Sequence, residues 1–222
     1  MRSFRHAAGT ELRHATMIYQ PKMNMKHILL VCGLLALPIP AAVFAKPAHD
    51  GNAGTLKNAV ILIIRHAEQP KDGYGLSSAG EARAKAYANY FKNYSIDGQP
   101  LKLDYLFAAK DTSNSHRPRL TIEPTAESLG LAVDSRFKDN KVLELVDQIK
   151  SEPPGANILI CWHHGNIPRL LRALGAEPTS LLPNGKWPGH VFDWVIELRY
   201  DENGHLFKNK RINENLLPGD SS

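Results

Sequence analysis

Two short groups of side chains stand out for their chemistry: Arg65-His66-Ala67-Glu68 and, about a hundred residues on, His163-His164-Gly165. Each follows an apolar run, Ala59 to Ile64 before the first and Ile158 to Trp162 before the second. A neutral imidazole nitrogen can attack phosphorus, and a guanidinium fork can hold the oxygens of the group being transferred. An arginine performs that task with more geometric specificity than a lysine point charge. The first group therefore reads as a nucleophile, His66, beside a phosphoryl-binding cation, Arg65. One histidine alone would be no more than a satisfied strand-end residue; a second strand ending in histidine changes the weight.

The elements that must carry these groups can be read from periodicity. The apolar runs lack alternation, as in central strands covered on both faces, and ligands in open α/β sheets sit at the carboxyl ends of such strands. Ser77 or Ser78 caps a helix with Glu81 in its first turn and an apolar face of Ala84, Tyr87, Ala88 and Phe91. Asp104 to Ala109 is a second strand, followed by a polar loop and a helix carrying Pro118 and Pro124; the second proline should kink or restart it. Leu131 to Val133 can form a short edge strand after Gly130. Val142, Leu145, Val146 and Ile149 mark another helix, and Asn166 caps one more, with Ile167, Leu170, Leu171 and Leu174 as its core stripe. Val191 to Tyr200 and His205 to Ile212 form a hairpin across Asn203-Gly204. Strands alternating with helices predict an α/β fold with a mostly parallel sheet and a C-terminal antiparallel hairpin.

At this point the chain resembles the histidine phosphatase superfamily, the phosphoglycerate mutase-like proteins. The family's Arg-His-Gly/Ala-Glu pattern matches Arg65 to Glu68, and its Leu-Ser/Thr-x-x-Gly matches Leu76 to Gly80. Its Arg-x-x-x-Thr matches Arg117 to Thr121, and its later His-Gly matches His164-Gly165. Each motif is weak singly; four in the family's order, over about residues 58–175, are specific. The resemblance implies a three-layer α/β/α domain, a phosphohistidine on His66, phosphoryl oxygens held by Arg65, Arg117 and His164, and no metal or cofactor. Many family members place a general acid after the third motif, which implies Asp139 here and Glu144 as second choice. The acid phosphatase branch has Asp directly after the second histidine, where this chain has Gly165.

Other residues carry plainer readings. Glu68 is expected to orient an arginine or a histidine. Arg119 competes with Arg117, and the four-residue step to Thr121 selects Arg117, leaving Arg119 on a solvated face. His163 is expected in packing or in support of the site, and a metal pair with His164 is weak because adjacent strand residues point to opposite faces.

The first fifty residues differ from the rest. A basic lead, Met25-Lys26-His27 and the apolar run from Ile28 to Ala45 have the layout of a secretory signal peptide over 25–45, with Val43 and Ala45 at the cleavage positions. A retained signal anchor is the alternative. Residues 1–24 fit no part of such a signal and read as a start-site artefact or a disordered extension; 46–57 read as a flexible lead-in, 58–213 as the domain and 214–222 as a frayed tail. The whole chain carries 27 Lys and Arg against 22 Asp and Glu, a net charge of +5. Five of the basic residues and one acid lie before residue 46, so the processed chain is near +1, which argues against nucleic acid as a partner. Removing Cys32 leaves Cys161 alone, so no internal disulfide is expected.

The expected function is thus an exported, periplasmic or secreted phosphomonoesterase acting on a small phosphate ester or a phosphorylated envelope component, without stable membrane insertion after processing. A phosphoglycerate mutase-type phosphotransferase and a phosphate-ester-binding module with weak turnover are the alternatives. Substrate and oligomeric state are not written in the sequence.

Overall fold

The computed structural model describes residues 55–220. The expected signal segment and the residues upstream of it lie outside the described residues. In chain order the elements are β1 (Val60–Arg65), α1 (Ser78–Lys92), β2 (Ser95–Ile96), β3 (Gln99–Pro100), β4 (Tyr105–Ala108), α2 (Arg117–Leu129) and β5 (Val133–Asp134). There follow α3 (Val142–Lys150), β6 (Asn157–Trp162), α4 (Ile167–Ala173), α5 (Pro178–Leu181), a 3-10 turn (Pro183–Gly185), β7 (Trp194–Tyr200) and β8 (Leu206–Asn213).

Six strands form one sheet in the order β5-β4-β6-β1-β7-β8. The first four are parallel, and β7 and β8 add an antiparallel edge. β1 and β6, the two apolar runs, are adjacent, with Val60 opposite Asn157 and Arg65 opposite Trp162. Alternate side chains feed two cores. Ile61, Ile63, Ile160 and Trp162 pack with the helices α3 and α4, while Leu62, Ile64, Leu159 and Cys161 pack with α1 and α2. Both faces of the sheet are covered, which is why the runs show no alternation. Cys161 is buried within one of these cores, and burial pushes its thiol up.

Local chemistry explains the second motif. Ser77 is the N-cap of α1 and accepts from the Gly80 amide at 3.1 Å. Its own amide donates to the Glu68 carbonyl at 2.9 Å. A Cβ on Gly80 would stand 2.3 Å from that same carbonyl oxygen, so only glycine lets α1 pack onto the strand end.

Three expectations need correction. α2 runs unbroken from Arg117 to Leu129 with Pro124 inside it; the missing amide is tolerated because Ile122, Thr125 and Ala126 anchor the helix in the core. Residues 55–57 are not merely a lead-in: Leu56 is buried in the core, and the Lys57 carbonyl accepts from the Gly155 amide. The tail is not frayed through residue 220. Glu214 is buried, takes a short hydrogen bond from the Tyr87 hydroxyl, and its amide donates to the Asp193 carbonyl. Asp220 accepts from Arg83 and from the amides of Leu216 and Leu217. The tail's composition is polar, but two of its acids find buried partners on α1.

Candidate active site

β1 ends where β6 ends, because the two parallel strands are of equal length and in register. Arg65 pairs with Trp162 and the His66 amide donates to the Trp162 carbonyl, so the residue beside His66 across the sheet is His163. The two imidazole rings meet edge to face with centroids 5.0 Å apart. His164, the histidine that the His-Gly motif singled out, is one residue further on. His164 follows in the turn that leads from β6 into α4.

His66 is 2% exposed, and its Nδ1 lies 2.8 Å from the Ala67 carbonyl oxygen. A carbonyl only accepts, so the ring proton sits on Nδ1 and the lone pair on Nε2. Burial lowers the His66 pKa to about 3, opposed by the hydrogen bond to the Ala67 carbonyl, with His163, Arg65 and Arg117 adding to the depression. The imidazole is neutral at physiological pH, the state a nucleophile needs. The backbone behind it is tied down by the third motif: the Ala67 amide donates to Thr121 Oγ1 at 2.9 Å, and that hydroxyl donates to the Arg117 carbonyl at 2.7 Å. Arg-x-x-x-Thr thus puts a clamp and a cation on one turn of α2.

Arg65 is nearly as buried. One of its terminal nitrogens donates to the carbonyls of Gly189 at 2.8 Å and Val191 at 2.9 Å, and its guanidinium lies 3.8 Å from the Phe192 ring centre. Burial lowers its pKa to about 10 while Glu68 opposes the fall, so it keeps its charge. Arg117 is half-buried, with its pKa lowered by burial. The Nε atoms of both arginines, His164 Nδ1 and Asp139 Oδ1 are buried with no hydrogen-bond partner among the described residues. Leaving a buried donor unmet costs about 1–3 kcal/mol, so the unmet arginine Nε groups beside a neutral imidazole mark a place for an anion rich in acceptors, whereas the Asp139 oxygen is an acceptor and has no part in that argument. A phosphoryl group meets that description.

The remaining candidates divide. Asp139 stands before α3; one carboxylate oxygen accepts from Asn166 Nδ2 at 2.6 Å, and its backbone carbonyl accepts from the Trp162 indole at 3.1 Å. Burial raises its pKa, with Asn166 and then His164 opposing. Asn166 occupies the N-cap position of α4 without a side-chain cap bond, its amide being committed to Asp139. Glu144, the second choice for an acid, is exposed and pairs with Lys141 at 2.6 Å, so it has no part in this cluster. Glu68 orients an arginine, but that arginine is Arg83. Arg83 makes a forked contact to the Glu68 carboxylate at 2.7 to 3.1 Å and a second one to Asp220. Burial alone would lower the Arg83 pKa, and Asp220 and Glu68 together raise it instead.

Arg119 points away, bound to Asp111 and Glu123 at 2.9 Å each. Sequence reasoning missed His163 as the partner of His66, which the register of β1 against β6 shows. It also missed Phe192 and the Gly189 and Val191 carbonyls, which come from a loop whose composition carries no such signal. Among the described residues no three His, Cys, Asp or Glu side chains converge as a metal-ion site.

No family model and no curated protein matches the chain. Solved structures do. A phosphoglycerate mutase from Plasmodium falciparum superposes with a TM-score of 0.51 at 14% identity, over 75% of this chain and 98% of that one. A phosphoserine phosphatase variant from Entamoeba histolytica, solved with phosphoserine, gives a TM-score of 0.46 at 12% identity, over 68% of this chain and 96% of that one. With its strand order, its covered sheet and its antiparallel edge, the chain has the phosphoglycerate mutase-like fold, the fold of the histidine phosphatases that its four motifs resemble.

Proposed function

We propose that this protein is an exported phosphomonoesterase of the histidine phosphatase superfamily that works through a phosphohistidine on His66. The observation that carries the reading is the state of His66: neutral, with its proton fixed on Nδ1, and set beside two arginines whose Nε atoms have no hydrogen-bond partner among the described residues. Nε2 attacks phosphorus while Arg65 and Arg117 take the charge spread over the equatorial oxygens, and His163 and His164 complete the ring of donors. Such preorganised cations act on the transition state more than on the bound ester. Water then cleaves the phosphorus–nitrogen bond and releases phosphate. The signal-like segment at 25–45 and the near-neutral charge of the processed chain support export, which would set the site among small phosphate esters or phosphorylated envelope components.

Release of phosphate from p-nitrophenyl phosphate in EDTA tests the activity. The wild-type protein should turn over, and His66→Ala should lose at least about 10⁴-fold in kcat, as removal of a nucleophile does, with an unchanged circular dichroism spectrum. Acid-labile, base-stable phosphate trapped on the protein should require His66; label that persists in the alanine variant sinks the assignment. Turnover without added metal discards the binding-module alternative, and inactivity toward phosphoglycerates discards the mutase. Terminal sequencing of soluble protein from a bacterial host should begin at or near Lys46.

A further inference from the structure

The loop that grips Arg65 is itself fastened from behind. Gly189 and Val191 offer their carbonyls to Arg65, and the next residue, Phe192, lays its ring over that guanidinium at 3.8 Å and lies 6.4 Å from the His66 ring, centre to centre. The Phe192 carbonyl accepts from the Tyr87 hydroxyl of α1 at 3.2 Å. The same phenol oxygen is in hydrogen-bond contact with Glu214 Oε1 in the tail. Three oxygens are thus linked in turn, from the tail through α1 to the loop over the site.

The protons available to those oxygens depend on the state of Glu214. A backbone carbonyl only accepts, and a phenol carries one proton. If Glu214 is a carboxylate, both neighbours of the Tyr87 oxygen are acceptors; the charge-assisted bond to the carboxylate is the stronger, so the Phe192 carbonyl goes without. If Glu214 is a carboxylic acid, the bond runs the other way, from carboxyl to phenol oxygen, and the Tyr87 proton serves Phe192. Both contacts then have a proton. The surroundings favour the acid. Glu214 is 8% exposed and its Oε2 is buried with no partner among the described residues, which costs far less for a neutral carboxyl than for an anion. Facing it are Arg83, Tyr87 and Tyr90 on α1, Asp193 before β7 and Asp220 in the tail. Burial, helped by the two aspartates, outweighs the Tyr87 bond and Arg83 and puts its pKa at about 8.

We propose that Glu214 is a positioning residue for the phosphoryl site: as a neutral acid it leaves the Tyr87 proton to the Phe192 carbonyl and so holds the loop against Arg65, and on ionising it takes that proton and loosens the loop. This deepens the reading of the site given above and rests on Arg65 as a phosphoryl-binding cation.

Two variants of the full chain test it. Glu214→Gln keeps a donor for the Tyr87 oxygen at every pH, and Tyr87→Phe removes the link while keeping the ring. Tungstate, an oxyanion that stays a dianion from about pH 7 to about pH 9, reads the site without turnover, and these values bracket the Glu214 pKa. Wild-type affinity should weaken roughly 3–10-fold over that range, the weight of one neutral hydrogen bond. Glu214→Gln should bind as wild type does at the lower pH and keep that affinity at the higher. Tyr87→Phe should bind at the weaker level throughout. kcat/KM on p-nitrophenyl phosphate should follow the same pattern, and the infrared spectrum at the lower pH should show a carboxylic-acid carbonyl band that Glu214→Gln lacks.

The same pH dependence in wild type and Glu214→Gln would overturn the proposal, as a merely structural Glu214 lowers stability in the variant and leaves that dependence alone. So would tungstate binding in Tyr87→Phe as tight as in wild type at the lower pH, or an infrared spectrum without the acid band. Wild-type protein that neither binds tungstate nor turns over would instead defeat the phosphoryl-site reading, while the infrared band still decides the state of Glu214.

Discussion

The ends of β1 and β6 lie side by side and differ in how they are held. At β1 the protein holds most of its own groups: His66 Nδ1 on the Ala67 carbonyl, the Ala67 amide on Thr121, and one terminal nitrogen of Arg65 on two loop carbonyls, with the Arg65 Nε left unmet. At β6 and across from it the polar atoms are left open, His164 Nδ1 and Asp139 Oδ1 among them. The first arrangement fixes the His66 imidazole in one tautomer. The second leaves polar atoms unmet, which the proposed function assigns to a phosphoryl group. On the proposed function, preorganisation at one strand end and unmet capacity at the other would divide the work of a two-step transfer.

Arg117 sharpens the contrast, because it belongs to the open half by its unmet Nε and to the fixed half through its carbonyl. Arg117→Lys retains charge and loses the fork, while the backbone clamp to Thr121 survives. We expect kcat on p-nitrophenyl phosphate to fall about 10²-fold, the loss typical of one preorganised donor, with thermal stability unchanged. A fall in stability of similar size would mean that the guanidinium, too, is held for the fold.

A smaller effect separates the halves by pH. His66 and His163 are held neutral by burial, with folded-state pKa values of about 3 and about 4 against 6.5 in the unfolded chain. Below pH 6.5 the unfolded chain takes up protons that the folded one refuses, so stability is lost as pH falls toward 4 and then 3. At pH 5 the cost is about 1–2 kcal/mol per histidine, less for the partly exposed His163. Glu214 has the opposite sign. Burial raises its pKa to about 8, so acidification recovers stability there. Urea unfolding of His66→Gln/His163→Gln should therefore show a shallower loss from pH 7 to pH 5 than wild type, the Glu214 contribution being common to both. Parallel pH curves would mean that the rings already share protons in the fold.

The fold was legible because its signals are local and strong. Two six-residue apolar runs specify buried parallel strands, and Ser77 with Gly80 specifies how α1 docks. His66, Arg65 and Arg117 were legible because strand ends and one helical turn fix their places. The choice between His163 and His164 was not, because the Gly after His164 is a sequence cue while pairing with His66 is a matter of register, which needs both strands at once. Glu144 was drawn in by its position in the chain, and only three-dimensional placement shows it on the outer face of α3. The Arg83 fork to Glu68 and Asp220 joins residues up to 137 positions apart, a separation over which composition says nothing.

Arg119 gives the smallest effect and the check on register. It sits two residues after Arg117, yet on the helix that step turns it away from the strand ends, and its partners are Asp111 and Glu123 on a partly exposed surface. Pairs of that kind contribute roughly 0–1 kcal/mol, screened further by salt. Arg119→Ala should leave kcat and KM within about twofold and lower stability by no more than about 1 kcal/mol, an effect that shrinks as salt is added. If its loss of turnover matched that of Arg117→Lys, the phosphoryl site would have to include the outer face of α2, and the division between a fixed and an open strand end would fail with it.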